Sequence, residues 1–232
     1  AARLYSVEGD GYAGEGAIHM AGAPVDPHED AVLQLLGRTA ALCNDSVLHR
    51  HDTGWTVAGD PMEGALLALA AKLQPGAERP RQQWRQIAAI PFDSNHRYMA
   101  TLHREPEGEG VVSVKGAPER VLAMCSAEAG DDGEPRPLDP DRWHRMVHEV
   151  AAQGQRVLAL AARPAGPDEQ YLTEDGIAGQ LIMLGLVGLI DPPRPEAKTA
   201  VAECIDAGIR VKMITGDHAG TASAVGREIG LL

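Results

Sequence analysis

The sequence predicts an α/β protein in two parts. A mainly antiparallel sheet flanked by helices is expected over residues 1–180, and a partial parallel α/β unit over residues 181–232. Three observations lead there. Between residues 84 and 115, strand-like runs are joined by short polar turns, which favours antiparallel pairing. Runs of helical period lie on either side of them. From Leu181 the pattern becomes strand, helix, strand, helix, with continuous apolar strands of the kind a parallel sheet buries on both faces.

Taken in order, Arg3–Glu8 reads as a short strand and the glycine-rich Gly9–Pro27 as a loop. Pro27–Asp45 reads as a helix, with Val32, Leu35, Leu36, Thr39 and Leu42 at helical spacing. A second helix starts at Asp60 and runs through Leu73. Asp60 suits the N-cap, Pro61 the first turn, and Glu63 the third position of a capping box. Trp84–Pro91, Arg97–Arg104 and Gly110–Lys115 read as strands, with the polar Glu105–Gly110 turning between the last two. Ala117–Cys125 and Asp139–Gln153 read as helices, separated by the acidic, proline-containing Gly130–Pro137. Arg156–Ala162 is a further strand. The second part then reads as strand Leu181–Ile190, helix Pro195–Ala207, strand Ile209–Ile214 and helix Ala219–Gly230. No internal repeat interrupts this order.

Composition narrows the function classes. Apolar residues make up 44% of the 232 and charged residues 23%, ordinary values for a folded globular chain. Aromatics are only 3%, so the core must be built from Ala, Leu, Val and Ile. The net charge of −12 argues against broad binding to nucleic acid or to an anionic membrane surface. It leaves room for a small cationic pocket that takes a polyanion. The three cysteines, Cys43, Cys125 and Cys204, are odd in number, lie far apart and have no metal-ligand spacing, so reduced and mostly buried thiols are expected. The longest apolar run, Leu181–Ile190, is half of the ~20 residues a membrane-spanning helix needs. The first residues do not have the pattern of a secretory leader.

Four segments carry candidate chemistry: Gly59–Leu67; Pro91–Met99; Val114–Glu119; and the pair Asp191–Arg194 and Met213–His218. Phe92 is the chain's one phenylalanine and lies in a turn-like segment with Asp93, Ser94 and Asn95. Its ring can stack on a base, worth about 1–3 kcal/mol, or plug the end of a strand. Lys115, one of four lysines, ends an apolar strand beside Gly116. It can reach a ligand that approaches the backbone there, or it can be a solvated strand end. Glu63 has a complete structural reading as a helix-cap partner of Asp60. Arg156 opens a strand, where a surface arginine at a strand edge is the plain reading. Asp191, Arg194, Thr215, Gly216 and Asp217 lie at the ends of the two expected parallel strands, where open α/β sheets bind ligands. A Thr-Gly-Asp turn offers N–H groups, a hydroxyl and a carboxylate suited to phosphate and Mg²⁺, or simply caps the next helix.

In order and spacing these segments resemble the P-type ATPases, most closely the calcium-pump-like cation transporters. The combination of Lys115-Gly116-Ala117-Pro118-Glu119 with Asp191-Pro192-Pro193-Arg194 is the most specific part, and the resemblance covers nearly the whole chain. It implies that Glu63, Phe92, Arg97, Lys115, Gly116 and Arg156 bind ATP, with Phe92 against the adenine, Glu63 near it and Arg156 at the phosphates. It implies that residues 1–180 are the nucleotide-binding domain and 181–232 part of a phosphorylation domain of haloacid-dehalogenase-like type. Asp191, Arg194, Thr215, Gly216 and Asp217 would then face the γ-phosphate and Mg²⁺ when the domains close. The chain departs from the family at Met62, Ser94, His96 and Arg97, where threonine, a base, arginine and lysine are common.

The family passes phosphate to the aspartate of an Asp-Lys-Thr-Gly-Thr segment, and these 232 residues contain none. The expectation is therefore an ATP-binding portion, inactive alone, of an enzyme at the cytoplasmic face of a bacterial plasma membrane. Its partners would be ATP with Mg²⁺ and the remaining phosphorylation, actuator and transmembrane domains. The alternative is a stand-alone soluble nucleotide-binding or regulatory protein. The transported cation is not written in these segments, and calcium follows only from the overall resemblance.

Overall fold

The structure is a computed structural model that describes residues 3–9, 11–52, 54–74, 78–106, 108–190, 195–215 and 219–232. Its elements are β1 (Tyr5–Val7), β2 (Ile18–Met20), β3 (Ala23–Val25), α1 (Ala31–Leu42), β4 (Val47–His51), β5 (Gly54–Ala58), α2 (Pro61–Leu73), α3 (Glu78–Gln83), β6 (Arg85–Ile90), β7 (Tyr98–Arg104), β8 (Gly110–Gly116), α4 (Pro118–Ala123), β9 (Cys125–Ala129), β10 (Pro135–Pro137), α5 (Pro140–Ala151), β11 (Arg156–Ala165), α6 (Glu174–Ile177), β12 (Leu181–Leu189), α7 (Pro195–Asp206) and α8 (Ala219–Glu228).

A seven-stranded sheet in the order β10-β9-β12-β11-β8-β7-β6 organises the molecule. It is antiparallel from β6 through β7 and β8 to β11, and again between β9 and β10, while β12 runs parallel to β9. This is the mixed α/β architecture, with antiparallel sheets flanked by helices, that the sequence predicts. Strands β7 and β8 are buried almost end to end, and with them the polar side chains Thr101, His103, Ser113 and Lys115. Burial on both faces explains why neither strand reads as a clean alternation of apolar and polar residues.

Helix α1 is started by Asp30, whose carboxylate accepts from the N–H groups of Val32 and Leu33. The same carboxylate takes the Tyr5 hydroxyl and the Arg3 guanidinium, which ties β1 to the helix. Burial, then the bonded Asp30 carboxylate, pushes the Tyr5 hydroxyl up to about 12. Helix α1 packs on β8 and on α2. Its last turn is fastened to β7, where the Thr101 hydroxyl donates to the Leu42 carbonyl and the Cys43 thiol to the Met99 carbonyl. Leu42 also joins Trp84, Val111, Ala162 and Leu184 in a buried cluster. Truncating a leucine so placed costs about 2–5 kcal/mol. Burial pushes the Cys43 thiol up to about 11 and that of Cys125 to about 12, so both are protonated at neutral pH.

Contacts divide the chain into two compact units, residues 1–138 with 159–185, and residues 139–158 with 186–232. In the second, α5 is capped by Asp139 and packs against α8, and Lys198 on α7 pairs with Glu228 on α8 at 2.9 Å. The predicted helices Pro195–Ala207 and Ala219–Gly230 form there as α7 and α8.

Two expectations for the partial parallel unit need correction. Leu181–Leu189 does not open a separate sheet but lies between β9 and β11 in the large one. The continuous apolar run correctly signals a strand buried on both faces, and its parallel neighbour is β9 from far earlier in the chain. The predicted strand Ile209–Ile214 does not form. A strand needs a neighbour for its ladder of hydrogen bonds, and among the described residues none pairs with it, so Ile214 is 97% exposed. Conversely, the loop Gly9–Pro27 contains β2 and β3, which continue β1 into a small antiparallel sheet. The hairpin β4–β5 is likewise absent from the prediction, because its mostly exposed Val-Leu-His-Arg-His strand lacks an apolar face.

Candidate functional site

The site is built from the start of α2, the end of β8 and the loop between β6 and β7. Asp60 caps α2 by accepting from the N–H groups of Met62 and Glu63, with Pro61 in the first turn. That fixes Glu63 on the first turn, where a capping box would return its carboxylate to the cap. Here the carboxylate points elsewhere. Its Oε1 accepts from Lys115 Nζ at 2.5 Å, and its Oε2 accepts from the Ser46 hydroxyl at 3.0 Å and the Asp45 N–H at 3.1 Å. The two charged side chains are 15% and 7% exposed.

Such a pair is costly to desolvate and is stable only with its remaining positions satisfied. For Glu63, burial draws the carboxyl's pKa upward. The hydrogen bond and charge of Lys115, then Ser46 and Asp45, outweigh it and leave the group below the usual carboxylate range. Glu63 is therefore ionised at neutral pH. Lys115 is no solvated strand end; it is a largely buried ammonium, held at the close of β8.

Gly116 follows it. A Cβ there would stand 2.5 Å from the Arg97 carbonyl oxygen and 2.7 Å from Tyr98 Cα, so no side chain fits. Gly116 pairs with Tyr98 across the ladder, and the Ala117 N–H donates to the Arg97 carbonyl. The strand carrying Lys115 is thereby joined to the far end of the Pro91–Arg97 loop.

That loop is locally wound. Asp93 accepts from the Asn95 N–H through its side chain and from the Arg97 N–H through its carbonyl, and Arg97 sits at φ 57°. A non-glycine residue in that region is uncommon and is retained where its surroundings fix it. Phe92, at the mouth of the loop, is 61% exposed and plugs no core. Arg97 directs Nη1 to Glu119 Oε1 at 2.6 Å, with both side chains about half exposed.

The structure thus brings Glu63 and Lys115 into direct contact and sets Gly116 against the backbone of Arg97 and Tyr98. Arg156 is exposed at the start of β11, in the second unit. Thr215 is exposed. Asp191, Arg194, Gly216 and Asp217 lie outside the described residues. Among the described residues no cluster of three or more His, Cys, Asp or Glu side chains could hold a metal ion, and no helix is long and apolar enough to cross a membrane.

Sequence reasoning overlooks Asp45 and Ser46, which clamp Glu63, and the role of Glu119 opposite Arg97. Asn44-Asp45-Ser46 looks like any polar exit from a helix. The available signal was the glycine at position 59, whose φ of 118° and missing side chain leave space for the Ser46 hydroxyl.

Known proteins match the chain over most of its length. A family model described as "P-type ATPase, cytoplasmic domain N" matches residues 32–196, which span Glu63, the Phe92 loop, Lys115 and Arg156. The "Probable cation-transporting ATPase F" of Mycobacterium tuberculosis is 47% identical over 90% of this chain and 23% of its own length. The "Cation-transporting ATPase pma1" of Synechocystis is 42% identical over 98% of the chain and 25% of its own. The "Calcium-transporting ATPase" of Bacillus subtilis is 35% identical over 99% and 26%. The chain spans about a quarter of the length of these curated relatives. With the matched region covering most of the chain and every element of the site just described, the chain belongs to the cytoplasmic N-domain family of the P-type ATPases.

Proposed function

We propose that the chain binds ATP at the corner formed by Glu63, Lys115 and Phe92. The observation that carries this reading is the pairing of a largely buried, ionised Lys115–Glu63 couple with an exposed phenylalanine on the adjoining loop. A ring exposed to water loses little on covering and gains a partner when a base stacks on it. The ammonium and carboxylate supply fixed polar groups at a strand end that Gly116 and Ala117 join to the far end of that loop. Arg97 and Arg156 are assigned to the phosphates, as permanently charged forks matched to phosphate oxygens. Mg²⁺ would arrive with the triphosphate, and it supplies charge neutralisation between phosphate oxygens when bound.

In the whole protein, ATP held here would phosphorylate an aspartate of the neighbouring domain, and that cycle would move a cation across the membrane from its cytoplasmic face. The nucleotide-binding domain is assigned to residues 1–190, because β12 lies within the large sheet, and the part of the phosphorylation domain to the residues that follow. There Asp191, Arg194, Thr215, Gly216 and Asp217 would approach the γ-phosphate and Mg²⁺ on domain closure. The actuator and transmembrane domains complete the partners, and the chain alone turns nothing over. Calcium is the proposed cation, in line with the name of the Bacillus relative.

Calorimetric titration with MgATP tests the reading. Lys115→Ala is expected to weaken binding at least tenfold, the scale of one lost charge-assisted contact of about 1.5–3 kcal/mol. An unchanged affinity removes Lys115 from the site.

A further inference from the structure

We propose that Ser46 is a positioning residue for base recognition: with the Asp45 N–H it fixes the Glu63 carboxylate so that one acceptor position, on Oε1, is left for the amino group of the base. The inference rests on the ATP reading above and deepens it.

An ionised carboxylate offers about four acceptor positions, two on each oxygen. Among the described residues both on Oε2 are taken, by the Asp45 N–H at 3.1 Å and by the Ser46 hydroxyl at 3.0 Å, whose other acceptor, the Asp60 carbonyl, lies farther away at 3.3 Å. On Oε1 Lys115 takes one. Among the described residues the remaining position is on Oε1, beside the ammonium. The hydroxyl decides which oxygen this is. Without it, the carboxylate keeps one N–H and a lysine whose ammonium can serve either oxygen, and its plane is free to turn.

The clamp is itself held from behind. Ser46 is fully buried, so water does not replace its hydroxyl. Its N–H donates to Asn44 Oδ1 at 2.9 Å. Arg81 on α3 donates from Nη1 to the Ser46 carbonyl at 2.6 Å and from Nη2 to the Asn44 carbonyl at 3.0 Å. Asn44 in turn donates to the Glu63 carbonyl at 2.9 Å, closing the loop onto the first turn of α2. Gly59 admits the Ser46 side chain where a Cβ would come within 2.3 Å of its oxygen. These bonds fix the backbone of Asn44 and Ser46, and so the place from which the hydroxyl and the Asp45 N–H meet the carboxylate, as an aimed carboxylate requires.

The chemical consequence is selectivity for a 6-amino purine over a 6-oxo purine. A carboxylate only accepts, so an amino N–H satisfies it while a ring carbonyl meets it as a second acceptor.

The test is calorimetry of MgATP and Mg-inosine triphosphate on the 232-residue chain, Ser46→Ala, Glu63→Gln and the double variant, with circular dichroism to establish that each folds. The wild type is expected to prefer ATP by about tenfold. Ser46→Ala should lose most of that preference while its affinity for inosine triphosphate is nearly unchanged. In the Glu63→Gln background it should change nothing further. Ser46→Cys, which keeps a weaker donor, is expected to fall between, and it stands in if the alanine variant does not fold. Equal losses for both nucleotides, an undiminished preference, or the same effect in the Glu63→Gln background would each overturn the inference. A wild type that binds neither nucleotide overturns the ATP reading instead, a result distinct from a wild type that binds ATP and variants that keep its preference.

Discussion

The Lys115–Glu63 corner and the Phe92–Arg97 loop adjoin, yet they are made on opposite principles. In the corner the charged atoms are nearly out of solvent, Glu63 is bonded to Lys115, Ser46 and Asp45, and the backbone behind them leaves no space for a Cβ at Gly116. In the loop, Phe92 is mostly exposed and Arg97 meets Glu119 at the surface. The difference separates two kinds of candidate site residue. Corner residues have structural duties that would be needed even without a ligand, so removing them damages fold and function together. Phe92 is mostly exposed, and the proposed function gives its ring a partner.

The largest expected effect is at Gly116. Gly116→Ala drives a methyl against the Arg97 and Tyr98 backbone and should destabilise by about 3 kcal/mol, read by chemical denaturation. A variant as stable as the parent would mean that the corner is looser than described. Next, Phe92→Ala should weaken ATP binding about tenfold, from one lost stacking contact, with an unchanged melting temperature. A fall in melting temperature with intact binding would place the ring in the core and reverse the comparison. The smallest effect is at Glu119. Glu119→Gln frees Arg97 from a half-exposed ion pair, so ATP should bind about two- to threefold tighter. Weaker binding would show that Glu119 serves the ligand rather than competing with it.

How legible the site was follows the same division. Phe92 drew notice as the one phenylalanine, in a turn, but only its burial separates a core plug from an exposed ring, and burial is a tertiary fact. Glu63 was legible as a helix-start residue from local spacing alone. Its actual bonds run to Ser46, 17 residues earlier, and Lys115, 52 residues later, and local spacing does not encode those. The antiparallel strands around residues 84–116 were legible because polar turns punctuate them. Ile209–Ile214 was misread for the converse reason: an apolar β-branched run declares an intrinsic preference, whereas a strand also needs a neighbour. Ser46 escaped because a buried serine and an exposed one look alike in a polar loop.

The account's central claim is that the corner and the loop form one nucleotide site. Titrating the isotopically labelled chain with MgATP, followed by amide chemical shifts, tests it most directly. The account predicts that Phe92, Lys115, Gly116 and the Asp45–Ser46 amides shift together along one saturable curve. Shifts confined to other parts of the chain, or none at all, would contradict it.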